Sequence, residues 1–129
     1  KLDADDIQEA APMYPGFDNP DYIVDRIEAG AVYGAFLSDN TANDTINTLA
    51  GIIGIHEEGS IGMLYVKPEY RHRKLATALE TYAFNRALEN GWIPYGQIIA
   101  GNEASMRLQE SMGLHFSKSP VYWMTKNNA

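Results

Sequence analysis

The sequence predicts a mixed α/β domain with antiparallel strands early and a βαβ unit late. Three observations predict it. Between residues 31 and 67 the apolar residues come in short runs broken by turn signals, as strands do. From Lys74 onward the apolar spacing becomes helical. A further apolar run, Pro94–Ala100, then separates that helix from a second one. The expected element order is ααβββαβαββ, and the 129 residues suit a single domain, 1–129, with one core.

The elements follow in order. Asp3 is placed to cap a first short helix, with Ile7, Ala10, Ala11 and Tyr14 at helical spacing and Pro12 ending or kinking it. Asn19-Pro20-Asp21 signals a second start, Ile23, Val24 and Ile27 give its apolar face, and Gly30 stops it. Ala31–Leu37 reads as a strand and the polar stretch Ser38–Asn47 as a flexible loop. Thr48–His56 is mostly apolar, as a strand buried on both faces would be. Glu57-Glu58-Gly59-Ser60 makes a hairpin turn, with Ile61–Lys67 the return strand. Gly62 within it admits a bulge or a close backbone approach. Leu75, Ala76, Leu79, Ala83 and Ala87 share one face of a long helix, Lys74–Asn90, closed by Asn90-Gly91. Asn102 caps a helix bearing Ala104, Leu108 and Met112 and ended by Gly113. Leu114–Ser117 and Val121–Thr125 are expected to form a last hairpin around Ser119-Pro120.

Composition narrows the function. There is no cysteine, which excludes disulfides, thiolate metal sites and a cysteine nucleophile, and fits a cytoplasmic setting. No apolar run is long enough for a membrane span, and no signal peptide is visible. The three histidines (56, 72 and 115) lack metal-ligand spacing, so no metal is expected. A net charge of −7 argues against nucleic acid. That charge is unevenly spread. Residues 1–62 hold two cations against twelve acids, a balance of −10; residues 63–129 hold eight against five, a balance of +3.

The basic half contains the stretch that carries chemistry, Val66-Lys67-Pro68-Glu69-Tyr70-Arg71-His72-Arg73-Lys74-Leu75-Ala76-Thr77. A strand stops at proline, a basic turn follows, and a long helix begins. A helix start presents unpaired N–H groups and the positive end of the helix dipole. Ala76 and Thr77 are small enough for a ligand to approach the backbone. Arg71, Arg73 and Lys74 add cations where the dipole disfavours them, unless an anion such as a pyrophosphate sits there. The alternative is a basic helix start that only makes surface ion pairs.

This stretch resembles the acetyl-CoA-binding signature of the GNAT superfamily of N-acetyltransferases: Arg or Gln, two residues, Gly, one residue, then Gly or Ala. Arg71 takes the first place, Lys74 the first glycine place and Ala76 the last. Tyr65-Val66-Lys67-Pro68-Glu69-Tyr70 matches the lead-in. Asn102-Glu103-Ala104-Ser105-Met106-Arg107-Leu108-Gln109-Glu110-Ser111-Met112-Gly113-Leu114 resembles the family's second block. The resemblance spans 1–129 and points toward the glycine N-acyltransferase-like branch. It implies a mostly antiparallel central sheet flanked by helices, with one splayed pair of parallel strands. The first strand of such folds is expected upstream of Lys1, lost, or reduced to Lys1-Leu2.

The resemblance further implies an N-acetyltransferase moving an acetyl group from acetyl-CoA to a primary amine of a small molecule or peptide, by direct attack. N–H groups from His72, Arg73, Lys74, Leu75, Ala76 and Thr77 would cradle the pyrophosphate, with Arg71 and Arg73 neutralising charge. The strand at Leu64, Tyr65 and Val66 would pair with the pantetheine arm. Asn102 would bond that arm near Ser105, and Arg107 would reach the adenosine phosphate. Lys74 stands where the family has glycine; it is harmless if helical and costly at positive φ, and the helical state is expected. Gln109 stands where many relatives carry an acidic tyrosine. The strand 60–67 has no acid to serve as base. Glu58 is the base candidate, beside Glu57 and His56, and Tyr122 the acid candidate. The acceptor is expected near Tyr14–Asn19 and the last hairpin, and a homodimer is left open. The competing reading is a non-catalytic acyl-CoA-binding or sensing module of the same fold.

Overall fold

A computed structural model describes residues 1–15, 19–41, 44–124 and 126. The chain divides into two compact units, Lys1–Gln97 and Ile98–Ala129.

The first unit opens with a reciprocal cap. The Asp3 carboxylate accepts the Asp5 N–H at 2.9 Å, and the Asp6 carboxylate accepts the Asp3 N–H at 2.9 Å. This cap starts a 3₁₀ turn, Ala4–Asp6, that leads into α1 (Ile7–Ala10) and a second turn, Ala11–Met13, containing Pro12. Asn19 Oδ1 accepts the Asp21 N–H at 3.0 Å and starts α2 (Tyr22–Glu28). Three antiparallel strands follow, β1 (Val32–Thr41), β2 (Asp44–Ile55) and β3 (Ile61–Val66), in the sheet order β1-β2-β3. Leu2 is 1% exposed, and its N–H donates to the Val32 carbonyl at 2.9 Å. Lys1-Leu2 thus docks beside the start of β1 without forming a strand.

The polar stretch Ser38–Asn47 is not the loop expected. Its backbone pairs from Ser38↔Asn47 to Thr41↔Asp44, and Ser38 Oγ donates to Asn47 Oδ1 at 2.6 Å. Polarity misled here, because β-branched Thr45 and Ile46 suit a strand and stay exposed in it.

The core lies on both faces of this sheet. Ile52 packs with Leu2, Ile23, Ile27 and Met63 on the face covered by α1 and α2. Ile53 packs with Ile61, Val66, Leu79 and Ala83 on the other, covered by α3 (Leu75–Glu89). Successive strand residues point to opposite faces, so burial on both requires the unbroken apolar run of β2.

β3 does not match β2 residue for residue. The pairs Ile52↔Tyr65 and Gly54↔Gly62 leave Ile53 opposite two residues, Met63 and Leu64. This is a β-bulge, with Met63 at φ 55°. The bulge expected around Gly62 falls one residue later. β3 then ends in a 3₁₀ turn, Pro68–Tyr70, before α3. His72 has φ 63° and Lys74 φ 61°. The expectation that Lys74 is helical is overturned: it is a left-handed cap, and α3 begins only at Leu75.

The strand expected at Pro94–Ala100 is reduced to one parallel bridge, Ile61↔Gly96, with the Ile61 N–H donating to the Tyr95 carbonyl at 2.7 Å. Pro94 has no N–H to pair. Gly96 admits the contact because a Cβ there would stand 2.8 Å from the Ile61 carbonyl oxygen. The expected splayed pair of strands is thus represented by this single parallel bridge at the start of β3.

The second unit contains α4 (Glu103–Ser111), capped by Asn102, whose Oδ1 accepts the Ser105 N–H at 3.1 Å. The expected last hairpin is not formed: residues 114–117 and 121–124 carry no strand, and Thr125 lies outside the described residues. Ser117 Oγ instead accepts the Ser119 N–H at 3.2 Å and donates to the Ser119 carbonyl at 3.0 Å. Such local bonds compete with a ladder, and Pro120 removes a donor from it. Among the described residues, no helix is long and apolar enough to cross a membrane.

Two stability outcomes follow. Ile52→Ala should cost about 2–5 kcal/mol, seen as a lower urea midpoint at constant slope. Lys74→Gly should raise stability by about 1 kcal/mol, because glycine is unstrained at φ 61°. A lowered melting temperature for Lys74→Gly would refute the left-handed cap.

Candidate active site

The candidate site is built from the outer edge of β3 and the turn that follows it. β3 is an edge strand of the sheet, and among the described residues its outer side is bridged only at Ile61. Among the described residues no strand pairs with the outer edge from Gly62 to Val66, and the bulge interrupts the regular ladder there. Leu64, Tyr65 and Val66 all lie on this segment. Arg71 already occupies one edge group: its Nε donates to the Val66 carbonyl at 2.9 Å, and its guanidinium lies 5.6 Å from the Tyr65 ring centroid. That uses one of five guanidinium N–H donors.

The turn from Arg71 to Lys74 then curls the backbone with two left-handed residues. Non-glycine residues pay about 1–3 kcal/mol for such conformations. Among the described residues, the non-glycine residues at positive φ are Met63, His72 and Lys74, so all of this strain falls between the bulge and the start of α3. Alternating conformations of this kind turn successive N–H groups inward into a concave nest that suits an anion.

The start of α3 adds donors. Lys74 makes no side-chain cap. The first backbone bond into the helix is from the Ala78 N–H to the Lys74 carbonyl at 3.0 Å. The N–H groups of Leu75, Ala76 and Thr77 thus have no partner among the described residues, and Ala76 and Thr77 are small. Arg73 packs over Tyr70 at 5.7 Å. Among the described residues, no carboxylate pairs with Arg71, Arg73 or Lys74, whereas Lys67 bonds Glu9 at 2.9 Å.

The remaining predicted cofactor residues belong to the second unit. Asn102 is the α4 cap and Ser105 the residue it caps. Arg107 lies 3.4 Å from Glu103 in an ion pair whose partners are 79% and 78% exposed. A pair that exposed contributes little and opens readily. Tyr122, the acid candidate, is 79% exposed in the same unit.

Glu58 sits in the β2–β3 turn of the first unit. Ser60 Oγ donates to its carboxylate, and the Tyr95 hydroxyl donates to its backbone carbonyl at 2.8 Å. Burial raises the Glu58 carboxyl, but the bond from Ser60, its own backbone N–H and nearby His56 outweigh this and hold it below the usual carboxylate range. A carboxylate held in this way is a turn brace and a weak base.

His56, expected at the end of the strand 48–56 and beside the base candidate Glu58, folds inward. Its Nδ1 lies 2.9 Å from the Tyr22 hydroxyl, and the two rings stack with centroids 5.8 Å apart. The only trace of this in the sequence was Gly62, whose missing side chain admits the ring. Among the described residues there is no group of three side chains that could hold a metal ion.

The Acetyltransferase (GNAT) family model matches residues 4–114. No curated protein sequence matches the chain. Among solved structures, it is similar to a probable acetyltransferase, with a TM-score of 0.71 at 16% identity, covering 99% of this chain and 97% of that one. It is also similar to a ribosomal-protein-alanine N-acetyltransferase from Brucella melitensis biovar Abortus 2308 (TM-score 0.64, 18% identity, 98% and 96% covered). A third similar structure is AAC(6')-Iy in complex with a CoA bisubstrate analog (TM-score 0.62, 12% identity, 98% and 95% covered). With the signature block, the sheet and the family match in agreement, this chain belongs to the GNAT acetyltransferase family and is an acyltransferase.

Proposed function

We propose that residues 1–129 act as one N-acetyltransferase domain, moving an acetyl group from acetyl-CoA to a primary amine of a small molecule or peptide by direct attack. The observation that carries this is the continuity of the open, bulged edge of β3 with the strained turn and bare start of α3. An extended amide arm suits an open strand edge. A pyrophosphate suits the nest and helix start beyond it. The pantetheine would lie along Leu64, Tyr65 and Val66. The N–H groups of His72 to Thr77 would hold the pyrophosphate, with Arg71, Arg73 and Lys74 supplying positive charge.

Transfer needs a polarised thioester, a neutral amine and a proton for the leaving thiolate. An edge N–H past the bulge is a fixed donor for the thioester carbonyl. The absence of cysteine supports attack without a thiol-linked enzyme intermediate. The acceptor is a cationic amine. In support, the first half of the chain carries a balance of −10, which attracts a cation. The paired rings of Tyr14 and Tyr22 add aromatic faces, which also attract cations.

Two outcomes test this. Acetyl-CoA at about 100 times its Kd should stabilise the protein by roughly 2.7 kcal/mol in a thermal shift assay. Arg71→Glu combined with Arg73→Glu should abolish that stabilisation; its survival would move the phosphate site elsewhere. Stabilisation without thiol release across an amine panel would favour the sensing module over the enzyme. Second, thiol release should be faster with cationic acceptors than with matched neutral or anionic ones, and the reverse order would refute the acceptor assignment.

A further inference from the structure

The cofactor reading leaves one cluster on the face of β3 that α1 and α2 cover. Gly54 and Gly62 face each other across β2 and β3. Their missing side chains open a slot. Met63 fills one half, since a Cβ on Gly54 would stand 2.7 Å from the Met63 sulfur. His56 fills the other, since a Cβ on Gly62 would stand 2.7 Å from His56 Nε2. The imidazole edge is thus pressed against β3 at the residue just before the bulge. Its opposite nitrogen is held by the Tyr22 hydroxyl at 2.9 Å, and the Tyr14 ring meets it edge-on at 6.3 Å.

This arrangement orients the ring. The Tyr22 hydroxyl fixes Nδ1 and the bare Gly62 position receives the Nε2 edge, so the ring has one orientation. The two contacts together place Nε2 beside Gly62, one residue before the bulge past which the thioester carbonyl is proposed to bind. We propose that His56 accepts the proton of the acceptor ammonium at Nε2, with Tyr22 as the positioning residue that holds the Nδ1–H. This rests on the cofactor reading above, and it moves the base from Glu58 to its neighbour on the inner side of the turn.

The electrostatics agree. Burial lowers the basicity of His56, Arg26 of α2 lowers it further, and Glu58 of the turn partly restores it. Arg26 is anchored by its Nε on the Ile55 carbonyl at 2.9 Å. Glu57 and the Tyr14 and Tyr22 phenols complete the titratable groups around the pair, and Gly62 and Met63 of β3 contribute none. Burial raises the Tyr22 phenol, so it stays protonated, while the Glu57 N–H and Arg26 pull the other way. The lowered basicity favours the neutral ring, which is the form able to take a proton.

The step balances. The ammonium gives one proton to Nε2, and the freed lone pair forms the C–N bond. The C–S bond breaks with its electron pair on sulfur, and the thiolate takes a second proton from the same nitrogen. The imidazolium then releases its proton to water, so the whole reaction yields amide, free thiol and one proton.

The test begins with acetyl-CoA binding to the full chain. If the wild type is not stabilised, the cofactor reading itself fails and this proposal with it. If it is, His56→Gln should keep the stabilisation and lose about 10²–10⁴-fold in thiol release with cationic amines. The wild-type rate should fall only below the ordinary histidine value of about 6.5, and this acid limb should vanish in His56→Gln. Tyr22→Phe should bind acetyl-CoA, lose about tenfold and move the limb; an unmoved limb would reduce Tyr22 to packing and overturn its part. The imidazole resonance of His56, identified by its loss in His56→Gln, should shift when acetyl-CoA is added. This last measurement needs no acceptor. A bound cofactor with an unmoved His56 signal, or a His56→Gln variant with an intact rate and limb, overturns the proposal.

Discussion

Between Gly62 and Tyr65, β3 has one residue more than β2 offers it, and Ile53 must face two residues at once. The strand cannot stay in register with its neighbour and remain flat. It bends, Met63 is thrown into a left-handed conformation, and its side chain crosses into the slot above Gly54. Met63 is the residue in excess: Ile61, Leu64 and Val66 pack toward α3 with Ile53, while Met63 joins Ile52 and Tyr65 on the opposite face. The same irregularity sets where the open edge begins and where His56 meets the strand.

The two faces of β3 divide the chemistry. One carries α3, whose start offers N–H groups and an excess of cations. The other carries α1 and α2, with the acids, the phenols and the imidazole. Lys67, just past the end of β3, bonds Glu9 of α1 at 2.9 Å and ties the acidic helix to the basic turn. The strand thus carries opposite charge on its two sides, as the proposed pairing of an anionic donor with a cationic acceptor requires.

Much of this was legible in the sequence, and the exceptions have physical causes. The helix α3, the apolar run of β2 and the Asn102 cap each follow from local periodicity or capping chemistry, which one chain segment contains by itself. The basic turn was legible because cations crowd a place where the helix dipole repels them. Lys74 was misjudged because its side chain says nothing of φ; only the neighbouring turn, built from His72 onward, forces the left-handed state. Ser38–Asn47 was misjudged because a solvated hairpin is as polar as a loop. The strand expected at 94–100 and the last hairpin failed because apolar composition does not supply a partner for the backbone. His56 was undervalued for a similar reason. Its neighbours in sequence are two glutamates, and its neighbours in space are Tyr22 and Gly62, 34 residues away in one case.

The absence of glycine from the turn after β3 has a kinetic side. A glycine-rich turn is free of strain but roams widely and must be ordered when an anion arrives. His72 and Lys74 reverse that balance. Their side chains restrict the backbone before any ligand is present, so the cost is carried in the folded protein as strain and little is left to be lost at the encounter. Preorganised sites of this kind tend toward fast capture, with residence time set by the contacts made afterwards.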